Sequence, residues 1–270
     1  MRITLLANRD LAANRVADAL LRALPEHEFS LVLSSSVGRP GPRPVELLEL
    51  AVAEQGLPYG LIEPLLGAPD DRRLRSWDEL AAGIDGRSHG LDRPRRPEGR
   101  TLLAALAPDL MISVRYGGIL DAAHVRLAPH GVLNLHSGRL PAYRGVLATF
   151  RALLAGDARL ACTLHRIVDA GIDTGPIVAT AEIDAAPERS VFWNLMRLYD
   201  PGIELLVDAV RALDAGDPLP GRPQDPGAGA YYGVPAAAEL ERARGLGLRL
   251  VTLADVLEIH RELFLPATGR

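Results

Sequence analysis

Lysine is absent from this 270-residue chain; all 30 basic side chains are arginine. The uniformity reads as compositional bias rather than as a recognition device, although arginine does gather where phosphate is bound. Cysteine is nearly absent too. Cys162 stands alone, which excludes an intramolecular disulfide and leaves a thiolate zinc site without ligands. A strong charge of one sign is lacking: the formal net charge is −4, so no global field attracts nucleic acid or an anionic membrane. No apolar stretch approaches the ~20 residues of a membrane span. The apolar run at residues 1–7 is too short for a signal-peptide core and gives way to polar Asn8, Arg9 and Asp10. These absences predict a cytoplasmic protein with neither nucleic acid nor membrane as partner.

What is present is a hydrophobic fraction of 48%, enough for a large core. Short apolar runs at residues 3–7, 29–34, 110–114 and 132–135 alternate with helix-period segments at 11–24, 45–55 and around 102–106. Such alternation implies right-handed crossovers and a mostly parallel sheet flanked by helices, an α/β fold. Residues 38–44 read as a Gly/Pro-rich turn. The pattern fails between 67 and 99, where Arg, Asp, Pro and Gly accumulate; a surface insertion with one short helix at 77–82 is expected there. Residues 163–168 and 177–183 suit a strand pair, and 190–213 a long amphipathic helix with a break at Pro201-Gly202. A main domain over 1–213 is therefore expected. Residues 214–270 read as a linker, to residue 229, and a small C-terminal α+β appendage with helices at 236–244 and 253–265 and a strand at 248–252.

Two segments carry chemistry. The first runs Gly131-Val132-Leu133-Asn134-Leu135-His136-Ser137-Gly138-Arg139-Leu140-Pro141-Ala142-Tyr143-Arg144-Gly145. Strand alternation puts Asn134 and His136 on one face. The chain then leaves the sheet at a carboxyl end, where ligands bind in open parallel sheets. A polar pair on an apolar strand is costly unless it is hydrogen-bonded or used. The second segment, Asp169-Ala170-Gly171-Ile172-Asp173-Thr174-Gly175-Pro176, is a tight loop that can aim a carboxylate at the same cleft. Each residue alone is more often structural: a strand-end Asn, a hydrogen-bonded His, a turn Asp. Their combination in this order is what points to catalysis.

Together these segments resemble the folate-dependent formyltransferase family, which includes glycinamide ribonucleotide transformylase, methionyl-tRNA formyltransferase and sugar N-formyltransferases. Its hallmark is an Asn-x-His strand entering a Leu-Pro-x-x-x-Gly loop, with an Asp on a Gly-rich loop downstream. Here those positions are Asn134, His136, Leu140, Pro141, Gly145 and Asp173. Arg115-Tyr116-Gly117-Gly118-Ile119-Leu120 resembles the family stretch whose backbone binds the pterin ring. The likeness is good over roughly residues 100–185 and looser elsewhere. One departure is that Ser137-Gly138 replaces the usual Pro-Ser.

The resemblance implies a Rossmann-like formyltransferase fold, 10-formyl-tetrahydrofolate as co-substrate and no metal. It implies an amine on a small molecule as acceptor, such as a nucleotide-linked amino sugar or specialised metabolite. A homodimer is compatible with it. Formyl transfer passes through a tetrahedral oxyanion, for which Asn134 supplies a donor, His136 a donor or proton relay, and Asp173 a base. His165, Asn8, Arg9, Tyr231 and Tyr232 are the acceptor-binding candidates, each with a structural role as its alternative. A 10-formyl-tetrahydrofolate hydrolase, a methionyl-tRNA formyltransferase-like protein and a non-catalytic folate-binding module are the competing readings.

Overall fold

The computed structural model describes residues 1–35, 43–66, 73–225 and 227–265. Its centre is a seven-stranded sheet in the order β3-β2-β1-β4-β5-β7-β8. The strands are β1 (Arg2–Asn8), β2 (Glu28–Ser34), β3 (Ser88–Gly90), β4 (Leu110–Val114), β5 (Val132–His136), β7 (Arg159–Ile167) and β8 (Ile177–Asp184). The first five are mutually parallel; β7 runs antiparallel to β5, and β8 antiparallel to β7. Strand alternation divides the apolar side chains between two layers. Ile3, Leu5, Leu31, Ile112, Leu133 and Leu135 face the larger core, whereas Leu6, Val32, Met111 and Val132 face a smaller one. Asn134 and His136 follow Val132 at period two, on the thinly covered face.

Helices α1 (Leu11–Ala23) and α7 (Val191–Asp214) build the larger layer. Asp10 caps α1 by accepting from Ala13 N–H at 2.9 Å. The break expected at Pro201-Gly202 does not occur; α7 continues through both. Gly202 lets the helix lie close to the sheet, since a Cβ there would meet Cys162 Sγ at 2.8 Å.

The helix expected at 45–55 is α2 (Val45–Ala51), continued by π-helical turns Val52–Gly56 and Pro58–Ile62. The wider winding accommodates Pro58, which has no N–H for an α-helical bond.

The surface insertion expected at 67–99 is corrected over its described part. α3 (Trp77–Ala82) buries Trp77 and Leu80 in the main core, β3 completes one sheet edge, and α4 (Pro97–Ala105) begins at Pro97. Residues 67–72, and all of the expected 38–44 turn except 43 and 44, lie outside the described residues.

Beyond β4 come α5 (Ala122–Val125), then β6 (Tyr143–Gly145) and α6 (Ala148–Ala155) in the loop after β5. After α7, β9 (Ala230–Tyr232) pairs with β6 as a two-stranded sheet, and α8 (Ala237–Gly245) and α9 (Leu253–Phe264) close the chain. The strand expected at 248–252 is not formed. Instead the carbonyls of Arg249 and Leu250 accept from Val191 and Phe192 N–H at 2.9 and 3.0 Å, satisfying the first turn of α7.

Candidate active site

β5 brings Asn134 and His136 to the carboxyl edge of the sheet, and β7 decides what faces them. The antiparallel register sets Asn134 opposite His165 and His136 opposite Thr163. Asn134 Nδ2 lies 2.9 Å from His165 Nε2, and His165 Nδ1 lies 3.0 Å from the Arg166 carbonyl. One proton arrangement satisfies both contacts: His165 Nδ1–H donates to the carbonyl, and Nε2 accepts from the Asn134 amide. The second amide N–H of Asn134 is then left for another acceptor.

Asp173 enters from the loop between β7 and β8 with a left-handed backbone, φ 56°. Its Oδ1 is 3.4 Å from His165 Nε2, and its Oδ2 is 3.5 Å from His136 Nδ1. Gly145 N–H donates to Oδ2 at 2.8 Å. Burial alone would raise this carboxyl. The neighbouring His136, the nearby His165 ring and the Gly145 N–H outweigh burial and hold it at about 2. His136 Nε2 lies 2.7 Å from the Tyr143 carbonyl, so both of its ring nitrogens face acceptors. In this arrangement the Asn134 amide keeps one free N–H edge, and the His136 ring is held from both sides.

The loop after His136 is fixed tightly. Thr163 Oγ1 donates to the Gly138 carbonyl at 2.7 Å, and Thr149 Oγ1 to that of Ser137 at 2.9 Å. A Cβ on Gly138 would lie 2.4 Å from Ala148 Cβ and 2.8 Å from His136 Nε2. Glycine at this departure from the family pattern therefore makes room for the imidazole.

The structure brings Asn134, His136, Asp173 and His165 together. It assigns other predicted residues differently. The Arg115 side chain turns away from the cleft, its Nε 2.8 Å from Asp10 Oδ2 and its Nη2 2.8 Å from Glu54 Oε2. Burial would lower that guanidinium, and the two carboxylates more than offset it. Asn8 is likewise consumed inside: its Nδ2 donates to Asp10 at 2.6 Å and its Oδ1 accepts from Ser34. As an acceptor-binding side chain Asn8 is thus corrected to a buried structural one. Arg9 is half-exposed and reaches Asp78 at 3.4 Å.

Tyr116 donates to the Leu91 carbonyl, Gly117 N–H to Ser34, and Leu120 is buried in the smaller core. Gly118 lies under the Tyr116 ring, and Ile119 stays exposed. Leu140 is buried, and the peptide joining it to Pro141 is cis. Tyr232 lies beneath the Arg151 guanidinium, 5.0 Å from its centroid, while Tyr231 is 57% exposed.

Glu54 and Gln224 escaped sequence reasoning. Burial pushes the Glu54 carboxyl up to about 7, with Arg115 opposing and Asp10 adding to the rise. Gln224 Nε2 donates to the carbonyls of Asp173 and Gly175. Neither position carries a local signal; Gln224 sits in what reads as a linker. Among the described residues, no group of three His, Cys, Asp or Glu side chains is placed to hold a metal. Among the described residues, no helix is long and apolar enough to cross a membrane.

An amide, two imidazoles and a carboxylate gather at the carboxyl edge of a mostly parallel sheet, an arrangement of donors and a base that suits acyl-transfer chemistry. Residues 88–210 match the family model described as Formyl transferase. The methionyl-tRNA formyltransferase of Burkholderia multivorans is 33% identical over 218 residues, 80% of this chain and 61% of the relative. The chain thus spans about three fifths of that relative's length. An N-formyltransferase from Helicobacter canadensis, in complex with folinic acid and dTDP-3-aminofucose, shares the fold with a TM-score of 0.55. Its identity is 14%, over 86% of this chain and 70% of that one. Glycinamide ribonucleotide transformylase 1 from Symbiobacterium toebii has a TM-score of 0.53 at 22% identity, over 83% and 94% of the two chains.

Proposed function

We propose that this protein transfers a formyl group from 10-formyl-tetrahydrofolate to the neutral amine of a small molecule. The observation that carries the reading is the convergence of Asn134, His165, Asp173 and His136 at the end of β5. The amine nitrogen attacks the formyl carbon and its lone pair forms the new C–N bond. The carbonyl electrons move to oxygen, where the second N–H of Asn134 meets the developing charge. Asp173 takes the proton shed by the amine, directly or through water, and passes it to His136, 3.5 Å away, which restores the proton that ring gives up. Collapse breaks the bond to the folate nitrogen, and a proton held by His136 completes that leaving group as tetrahydrofolate. The stretch of half-buried Gly118 and exposed Ile119 and the loop from Leu140 to Gly145 are the backbone we assign to folate.

The acceptor is best read as a nucleotide-linked amino sugar or a related metabolite amine. A phosphate bound at the N-terminus of α1 would meet the Asp10 carboxylate, which already caps that helix. This disfavours a ribonucleotide held through its phosphate at that place. The exposed Tyr231 ring, beside Gly145, supports stacking of a base or sugar. A second reading, transfer to an aminoacyl-tRNA, is favoured by the 33% identity to the Burkholderia protein.

The test is to incubate the protein with 10-formyl-tetrahydrofolate, alone and with candidate amines, while following tetrahydrofolate absorbance. Turnover that needs a small amine supports the proposal. Turnover that needs methionyl-tRNA supports the second reading. Turnover in water alone identifies a hydrolase, and binding without turnover under every condition sinks the catalytic reading.

A further inference from the structure

Asp173 is a non-glycine residue in left-handed conformation, φ 56°. Such a residue persists only where its surroundings fix it. The fixing comes from 50 residues further along, in the segment that reads as a linker. Ile177 and Arg222 exchange backbone hydrogen bonds at 2.8 and 2.7 Å, tying residues 221–225 to the end of the Asp173 loop. From there the Gln224 side chain reaches back. Its one Nε2 donates to two carbonyls, those of Asp173 at 3.0 Å and Gly175 at 2.6 Å. A primary amide has two N–H groups, so each carbonyl receives one. Its Oε1 is buried with no partner among the described residues, so the side chain is held there by its donors.

The other side of Asp173 is gripped by the same stretch of chain. Gly145, whose N–H binds Oδ2, belongs to β6, and β9 pairs with β6 in parallel. Val146 N–H donates to the Tyr232 carbonyl at 2.8 Å, and Arg144 Nη2 to that of Gly229 at 3.2 Å. The contact leaves no room for side chains. A Cβ on Gly145 would sit 2.2 Å from the Tyr232 oxygen, and one on Gly229 would sit 1.8 Å from the Pro141 oxygen.

We propose that Gln224, backed by β9, is a positioning residue: it turns the Asp173 peptide so that the carboxylate stands between His136 and His165. The inference rests on Asp173 being the proton-accepting carboxylate. Gln224 touches neither imidazole and acts through the loop alone. Loss of its two donors frees the Asp173 and Gly175 carbonyls, and the loop relaxes from its left-handed turn.

The test uses the full chain with ¹⁵N-labelled histidine. Ring-nitrogen signals of His136 and His165 are compared in wild type, D173N, Q224A and Q224M, alongside thermal melts. D173N removes the carboxylate charge and sets the reference displacement. Both Gln224 variants should move the His136 and His165 signals toward the D173N positions while the fold stays cooperative. Methionine keeps the side-chain volume, so Q224M serves should Q224A not fold. A lowered melting temperature with ring signals at their wild-type positions would overturn the proposal and leave Gln224 a stabilising contact only. Ring signals unmoved by D173N itself would instead refute the placement of Asp173, a separate failure.

Discussion

Asn134 places one amide N–H on His165, and the proposed function gives the other to a developing oxyanion. Its replacement by alanine should cut formyl-transfer turnover by about a hundredfold or more, since a preorganised oxyanion donor is worth roughly 3–4 kcal/mol of barrier. Folate affinity, measured by titration, should stay nearly unchanged; an equal loss of both would make Asn134 structural. Asp173 and Glu54 show how burial is answered in opposite ways. Asp173 is surrounded by donors and held at about 2, so its contribution to stability is present above the ordinary aspartate range and is lost as pH falls through about 2. Burial pushes Glu54 up to about 7, because Arg115 offsets it only in part and the Asp10 charge adds to the rise. A raised carboxyl stabilises the protonated folded state, so this contribution is complete below the ordinary glutamate range and lost as pH rises through about 7. Urea unfolding between pH 5 and 8 should therefore show wild type losing stability relative to Glu54→Gln as pH rises. Parallel profiles would show that Glu54 does not titrate there.

At the scale of elements, close approach of backbone to backbone governs the site. The Asp173 loop passes so near β7 that a Cβ on Gly175 would lie 1.8 Å from the Arg166 carbonyl. α7 presses on β5 and β7 through Gly202, with Cys162 Sγ and Leu135 Cδ2 at 2.8 and 3.2 Å from an added Cβ. Gly202→Ala should destabilise the protein by about 1–3 kcal/mol, the usual cost of overpacking a filled core, read as a lower urea midpoint at constant m-value. A neutral or stabilising effect would mean that helix propensity outweighs the contact. Proline within α7 illustrates the limit of propensity rules: a sequence break was expected there, yet packing along both halves keeps the helix continuous.

Across the whole molecule, the C-terminal segment is docked on the same core as the sheet. Leu240, Val256, Ile259 and Phe264 belong to the main apolar cluster. Asp255 on α9 accepts from Ser190 N–H at 2.7 Å and from Arg189 at 2.6 Å, while Glu258 accepts from Trp193 Nε1 at 2.8 Å. Unfolding followed by tryptophan fluorescence and by far-ultraviolet circular dichroism should therefore coincide. An earlier fluorescence transition would show the tail melting by itself. Asp255→Ala should lower stability by about 1–3 kcal/mol, because it leaves the buried Ser190 N–H without a partner; an unchanged urea midpoint would remove that contact from the account.

The sequence by itself determined the alternation of strands and helices, the pairing of Asn134 and His136 on one face of β5, and the loop that carries Asp173. These are properties of period and local turn chemistry, which short stretches of chain dictate. Only the tertiary structure decided that β7 runs antiparallel and sets His165 against Asn134, that Arg115 turns inward to Asp10, and that Gln224 meets the Asp173 loop. Those outcomes depend on strand register and on partners 31, 105 and 51 residues apart. Register and long-range partners follow from the joint burial of many side chains, a condition no local stretch encodes.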